Sequence, residues 1–406
     1  MPASSSRKQL PAAILPAVLR GSLLVIVCAP WAAPLPAADP LPEPAAAPAI
    51  GAEMAGSPPA LYVPDPLQAD EFAGLPATVV PETFPGWPRW FSGASGLVMT
   101  RTLPSGAATM RPAAGISQLT TSAASATWPG GVDLHIGRWF GARQHHGLEF
   151  IYWGVYGLDG QATVNAPGID AIPQASGATV AGVPANDFLQ GATSQQISRA
   201  DLVNDIEINY LYSLWERPEF LSTDPANPTR PVSLIWLAGF RFFQLQDVLT
   251  LSTFSPTAGS PLDFQAATNN NLYGGQLGAK FDWRFAPRLR FSAVPKFLMA
   301  GNSITNTSTL ATAGGTFANF AGGNSGAVHS TLGAFSWLGS IDAAVAWDVT
   351  RHWSLWLGYR VVGVGNIAQA DQQWPTDITT AGDLTGITGG SSTIVQGGFA
   401  GFEGRY

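Results

Sequence analysis

A few residues have types and settings that could do chemistry. Ser95 sits in GASGLV, close to the G-x-S-x-G nucleophile elbow, but Leu97 stands where the last glycine belongs and no α/β pattern surrounds it. His135 in VDLHIG could serve as a general base, yet neither a serine nor an acid stands at a readable spacing from it. His145 and His146 are adjacent, so an extended backbone would point them to opposite sides, which suits solvated polar residues better than a pair of metal ligands. NNNLYGGQLG is glycine-rich but lacks the G-x-x-x-x-G-K-S/T order and leads into a strand pattern, so it does not read as a phosphate cradle. Asn306 in NTS matches a glycosylation sequon, a short pattern that chance readily supplies. No cofactor or metal is implied by any of these.

A larger set of charges falls into one pattern. From Trp90 onward, ten stretches alternate between apolar and polar positions, at about 90–101, 130–139, 147–158, 203–214, 231–246, 272–285, 288–301, 335–349, 353–364 and 393–406. Side chains of a strand alternate between two faces, so each stretch has one apolar face and one polar face. In VNDIEINYLYSL, Ile206, Ile208, Tyr210, Tyr212 and Leu214 oppose Asp205, Glu207, Asn209 and Ser213. The polar faces together carry Asp133, Asp205, Glu207, Arg241, Lys280, Asp282, Arg284, Arg290, Lys296, Asp342, Asp348, Arg360, Glu403 and Arg405. The fifth stretch is less regular, which a β-bulge near Phe243 would explain.

The connections between stretches say what those faces meet. Long ones (102–129, 159–202, 247–271, 302–334, 365–392) alternate with shorter ones (140–146, 215–230, 286–287, 350–352), and residues 302–334 contain no Asp, Glu, Lys or Arg. A Greek-key sandwich has no reason to keep that rhythm, whereas an up-and-down transmembrane barrel has long outer loops and short periplasmic turns. Charged residues make up only 12% of the chain, against roughly 25% in soluble domains. Aromatics border the short turns: Trp90 and Phe91, Trp139 and Phe140, Tyr152 and Trp153, Tyr212 and Trp215, Trp283 and Phe285, and Trp347 and Trp353. Such residues form a girdle at a membrane interface. The expected fold is therefore all-β, an antiparallel up-and-down barrel of about ten strands, apolar faces toward lipid and charges toward the lumen. In AVAWDVTRHWSLWLGYR this sends Trp347 and Trp353 to lipid, Asp348 and Arg360 to the lumen, and Trp356 inward, where an indole suits a filled lumen better than an open one.

Residues 1–38 read as a signal peptide, with Arg7, Lys8 and Arg20 ahead of or within a short apolar core and small residues at the end. Cys28, the single cysteine, sits in that core and follows Val27 instead of a small residue, so it reads as an apolar residue lost on export. Cleavage before Asp39 would remove three positive charges and no negative ones, taking the net charge from −7 to −10, an acidic balance that argues against nucleic acid. Residues 39–88 form a Pro/Ala-rich periplasmic segment, since 18 of the 33 prolines lie in the first 88 residues, and the barrel occupies 89–406.

GASGLVMTR, GLEFIYWG, DIEINYLYSL with GFRFFQLQD, NNNLYGGQLGA and DVTRHWSLWLGYRVVGVGNIAQADQQ occur in an order that resembles the Putative beta barrel porin-7 family, outer-membrane barrels of certain bacteria. The resemblance implies a barrel and a porin-like role, and brings no catalytic residues with it. The leading expectation is a non-enzymatic outer-membrane barrel, a small porin for ions or small solutes with a narrow charged lumen. The alternative is a plugged barrel whose uncharged outer loops bind surfaces, and a lipid hydrolase built on His135 ranks below both. The expected partners are outer-membrane lipid and the barrel-insertion machinery, which would read the amphipathic last strand ending at Tyr406. The number of copies in the assembly is left open.

Overall fold

The computed structural model describes residues 89–103, 106–111, 115, 118–141, 144–214 and 231–406. The expected signal peptide, the Pro/Ala-rich segment and the connection 215–230 lie outside the described residues. In chain order the elements are β1 (Trp90–Arg101), β2 (Gly130–Phe140), β3 (His146–Tyr156), β4 (Gly160–Ile169), β5 (Ala178–Val180), β6 (Val183–Pro184), α1 (Asn186–Leu189) and β7 (Ala192–Ser213). They continue with β8 (Val232–Phe254), β9 (Pro261–Ala286), β10 (Leu289–Thr312), β11 (Asn319–Phe320), β12 (Ala327–Asp348), β13 (Trp353–Ile367) and β14 (Ser391–Arg405). One eleven-stranded antiparallel sheet runs β3-β2-β1-β14-β13-β12-β10-β9-β8-β7-β4, and β3 also pairs with β7. That pairing closes a ring of ten, with β4 taking the place of β3 beside the outer end of β7.

The outer wall explains why closure in a membrane is favourable. Trp236, Leu277, Phe297, Trp347, Trp353, Leu357 and Phe402 all point outward and are exposed on the bare barrel. On β9 the outward aromatics Tyr273 and Trp283 bracket the band, and on β12 Trp337 and Trp347 do the same. With a rise of ~3.3 Å per residue and strands tilted by ~40°, that spacing gives a band of about 25 Å, the height of an outer-membrane barrel's apolar belt.

The inner face is layered. Along β8 the inward positions read Leu237, Gly239, Arg241, Phe243, Leu245, Asp247, Leu249 and Leu251, so apolar and ionic layers alternate along one strand. Near the short turns, Phe91, Trp139, Leu211, Ile235 and Leu237 form an apolar cluster on the side of β1, β2, β7 and β8. Above a charged layer lies a second apolar one, including Leu97, Met99, Trp153, Phe243, Leu272, Leu298, Leu338 and Val395. The third apolar layer, beyond a further ionic cluster, joins Leu249, Leu262, Phe264 and Leu310 of the tall wall to Met110, Leu119, Phe188, Ile378 and Leu384 of the outer loops. The loops thus fold inward against the wall and cap it.

Four sequence expectations change. No bulge occurs at Phe243: β8 pairs in continuous register there with both neighbours, Asp205 on one side and Leu272 on the other. The stretch looked irregular because an apolar layer occupies its inward face. Phe91, Trp139 and Trp153 are not girdle residues but buried inside the barrel, since adjacent residues of a strand face opposite ways. The connection expected at 247–271 is mostly strand, leaving only 255–260 between β8 and β9, and most of 302–334 belongs to β10 and β12. Above the bilayer the outward face no longer needs apolar residues, so the alternation that marks a membrane strand fades while the ladder continues.

Candidate functional site

The charges gather in the lumen as two ion clusters on either side of the Trp153 and Phe243 layer. In the cluster nearer the short turns, the Arg360 guanidinium donates to both Asp342 oxygens, at 2.7 and 2.8 Å. The same guanidinium reaches Asp133 at 2.8 Å from β13 to β2, across the two intervening strands β14 and β1. Lys296 donates to both oxygens of Glu207 (3.0 and 2.8 Å), which also accepts from Gln276 and Asn209. Arg241 donates to Asp205 at 2.7 Å, lies 3.7 Å from Glu207 and donates to Ser340. Closer to the turns, Arg284 meets Asp348 at 3.0 Å, Arg405 meets Glu403 at 2.9 Å, and Arg290 on β10 reaches Glu403 on β14 at 3.6 Å. Lys280 lies 5.6 Å from the Trp356 ring and Arg290 4.6 Å from it. Asp282 is fully buried. All fourteen charges thus sit inside the barrel, most of them paired across strands.

The second cluster lies above the membrane band. Arg101 of β1 contacts Asp201 at 2.9 Å and Asp247 at 3.1 Å, and Arg199 contacts Asp247 and Asp371, each at 2.6 Å. These five side chains are almost wholly inaccessible, and the Ala370 amide and Gln369 side chain tie the loop after β13 into the same network. Asn270 adds a reciprocal pair with Ala368, accepting from its amide and donating to its carbonyl. Sequence reading missed this cluster because it assigned residues 159–202, 247–271 and 365–392 to loops. The signal was present: Arg199, Asp201, Val203, Asp205 and Glu207 continue one inward phase.

His135 does not assemble a relay. Its Nε2 lies 3.6 Å from Glu403 and its Nδ1 4.0 Å from Asp133, and no serine hydroxyl bonds the ring among the described residues. Ser95 stands opposite Asp133 in the ladder and, with His135, lines a cavity in the lumen. His145 contacts the Ser213 carbonyl and His146 the Tyr210 hydroxyl, and the described residues contain no cluster of three or more potential metal ligands. Asn306 is buried in the wall and donates to Ser308.

In the outer loop after β13, Asp383 accepts from the amides and hydroxyls of Thr379 and Thr380 (2.8 to 3.3 Å). Those donors hold its carboxyl below the usual carboxylate range. A carboxyl lowered on folding stabilises the loop above its unfolded pKa, and that support is lost as pH falls through the folded value. The group is exposed, so Asp383→Asn is expected to cost no more than about 0.5 kcal/mol, read as faster amide exchange confined to residues 379–385; unchanged exchange there would contradict it.

The closed ring, the lipid-facing belt and the polar interior define an outer-membrane β-barrel of a bacterial cell. The Putative beta barrel porin-7 family model matches residues 96–392, and the chain belongs to that family. Among solved structures it is similar to the outer-membrane protease OmpT from Escherichia coli, with 11% identity, 80% of this chain and 99% of that chain covered, and a TM-score of 0.44. It is also similar to the toluene transporter TodX of P. putida, with 9% identity, coverage of 80% and 91%, and a TM-score of 0.28. A search of curated protein sequences returned no match.

Proposed function

We propose that the protein is a closed, non-enzymatic barrel that does not conduct ions and works through the outer surface it presents. The observation that carries this reading is the transverse layering: ion pairs crossing the lumen above and below a continuous apolar layer. A water-filled channel needs a continuous polar path, and an apolar layer of packed Trp, Phe and Leu side chains breaks it. Ten strands make a slim barrel, close to those that side chains fill. On the outer rim, residues 302–334 carry no Asp, Glu, Lys or Arg and expose Phe317, a contact surface for polysaccharide or neighbouring molecules. Residues 1–38 are assigned to export and the strand ending at Tyr406 to recognition by the insertion machinery.

Planar-bilayer recordings of the refolded protein test the closed lumen. The expected record has no unitary current steps at 1 M salt, because no continuous aqueous path crosses the apolar layer. Reproducible steps from the wild-type protein would overturn this reading in favour of a narrow porin.

A further inference from the structure

Below the Trp153 and Phe243 layer the lumen is not full. A cavity of about 160 Å³ remains toward the short-turn end, and one on the order of 150 Å³ admits a benzene-sized guest. One part of its wall is apolar, with Phe91, Leu237 and Phe399. The remainder carries polar groups that the fold leaves unanswered. Both Asp282 oxygens are buried and accept no hydrogen bond, and no cation lies within ion-pair distance among the described residues, although Arg290 and Arg405 on the same cavity wall act on its charge from further off. Ser292, opposite Asp282 in the ladder, has a buried hydroxyl without a partner, and so does the Trp356 indole Nε1–H. Lys280, two positions before Asp282 on the same face, forms no ion pair among the described residues and lies over the Trp356 ring. Beside it the β9 to β10 ladder skips Val294 and Pro295, where proline has no N–H to give.

A buried carboxylate and a buried indole N–H left without hydrogen-bond partners are costly, because each has lost its water and gained nothing in return. All of these groups face one cavity, and their chemistries are complementary to a single kind of guest. We infer that this cavity binds an amino-acid zwitterion with an apolar side chain. Its ammonium meets Asp282 and Ser292, its carboxylate meets Lys280 and the Trp356 indole N–H, and its side chain lies on the Phe91, Leu237 and Phe399 wall. A simple anion would leave the Asp282 oxygens without a donor, and a simple amine would leave Lys280 and the Trp356 indole N–H without an acceptor. The guest enters from the periplasmic end and goes no further, so this site is independent of whether the barrel conducts.

The test uses the full chain in lipid nanodiscs, which avoids detergent tails competing for the apolar wall, with binding read by calorimetry. The probes are L-phenylalanine, 3-phenylpropionate and 2-phenylethylamine. L-Phenylalanine is expected to bind at least tenfold more tightly than either half-ligand. Asp282→Asn should abolish its advantage over 3-phenylpropionate, and Lys280→Gln its advantage over 2-phenylethylamine. Both variants are near-isosteric, and an unchanged unfolding midpoint confirms that each still folds. Equal affinity for the three probes, or no binding of L-phenylalanine up to about 10 mM, where any binding energy would fall below about 3 kcal/mol, overturns the inference on the wild-type protein alone. Unaltered selectivity in folded variants would overturn it as well.

Discussion

Asp247→Ala is expected to cost about 3–5 kcal/mol, the penalty of stranding buried charges. One Asp247 oxygen accepts from Arg199 at 2.6 Å, and the other from Arg101 and the Ala370 amide, each at 3.1 Å. All the ionic side chains concerned are sealed from solvent on the bare barrel. After the substitution Arg101 keeps Asp201 and Arg199 keeps Asp371, so two guanidinium groups share fewer acceptors in a site that water does not reach. The loss should therefore fall toward the lower end of that range. Because Ala370 and Asp371 belong to the loop after β13, the same change should free that loop, and protease should cut within residues 368–390 before it cuts any strand. Denaturant unfolding in vesicles gives the energy and limited proteolysis the location. Replacing the whole network, Arg101 and Arg199 by Met and Asp201, Asp247 and Asp371 by Leu, should restore much of the stability, since well-packed apolar groups can match a buried ion network once no charge is left without its partner. Wild-type stability in Asp247→Ala would show that the network does not hold the cap.

The membrane half of this barrel was legible because lipid imposes a rule on every outward position. Period-two alternation located the ten membrane-crossing strands, and it sent Trp347 and Trp353 outward and Trp356 inward, where their exposures place them. Beyond the bilayer the rule lapses. β10 runs to Thr312 and β12 starts at Ala327 through sequence rich in Asn, Thr and Ser that reads as loop. The same lapse hid Arg199, Asp201, Asp247 and Asp371. A second limit was depth inside the lumen. Composition cannot tell an inward Phe243 from an outward one when neighbouring residues are both aromatic, as Phe242 and Phe243 are, and only the register with Asp205 and Leu272 fixes it. Whether fourteen inward charges line a pore or fill one depended on which of them meet across the ring. Arg360 and Asp133 are far apart in sequence and on strands that become near neighbours only when β1 pairs with β14.

Phe243→Ala separates two jobs that the apolar layer could have. The side chain is wholly buried and packs against Trp153, with ring centroids 6.2 Å apart at 54°. Removing it deletes a large apolar group from a site whose neighbours are fixed by the surrounding ladder and cannot collapse inward, so the expected cost is about 3–5 kcal/mol. If the layer were the only seal, the same deletion would open a water path and bilayer recordings would show current steps. The ion clusters argue otherwise. Arg360, bridging Asp133 and Asp342, crosses the lumen below the deletion, and Arg101, bridging Asp201 and Asp247, crosses it above. Each is held by charge-assisted hydrogen bonds that the deletion does not touch. The variant should consequently unfold at lower denaturant yet remain silent in the bilayer. Current steps in Phe243→Ala alone would assign the seal to the apolar layer, and the ion clusters would then be structural ties beside a latent channel instead of barriers within it.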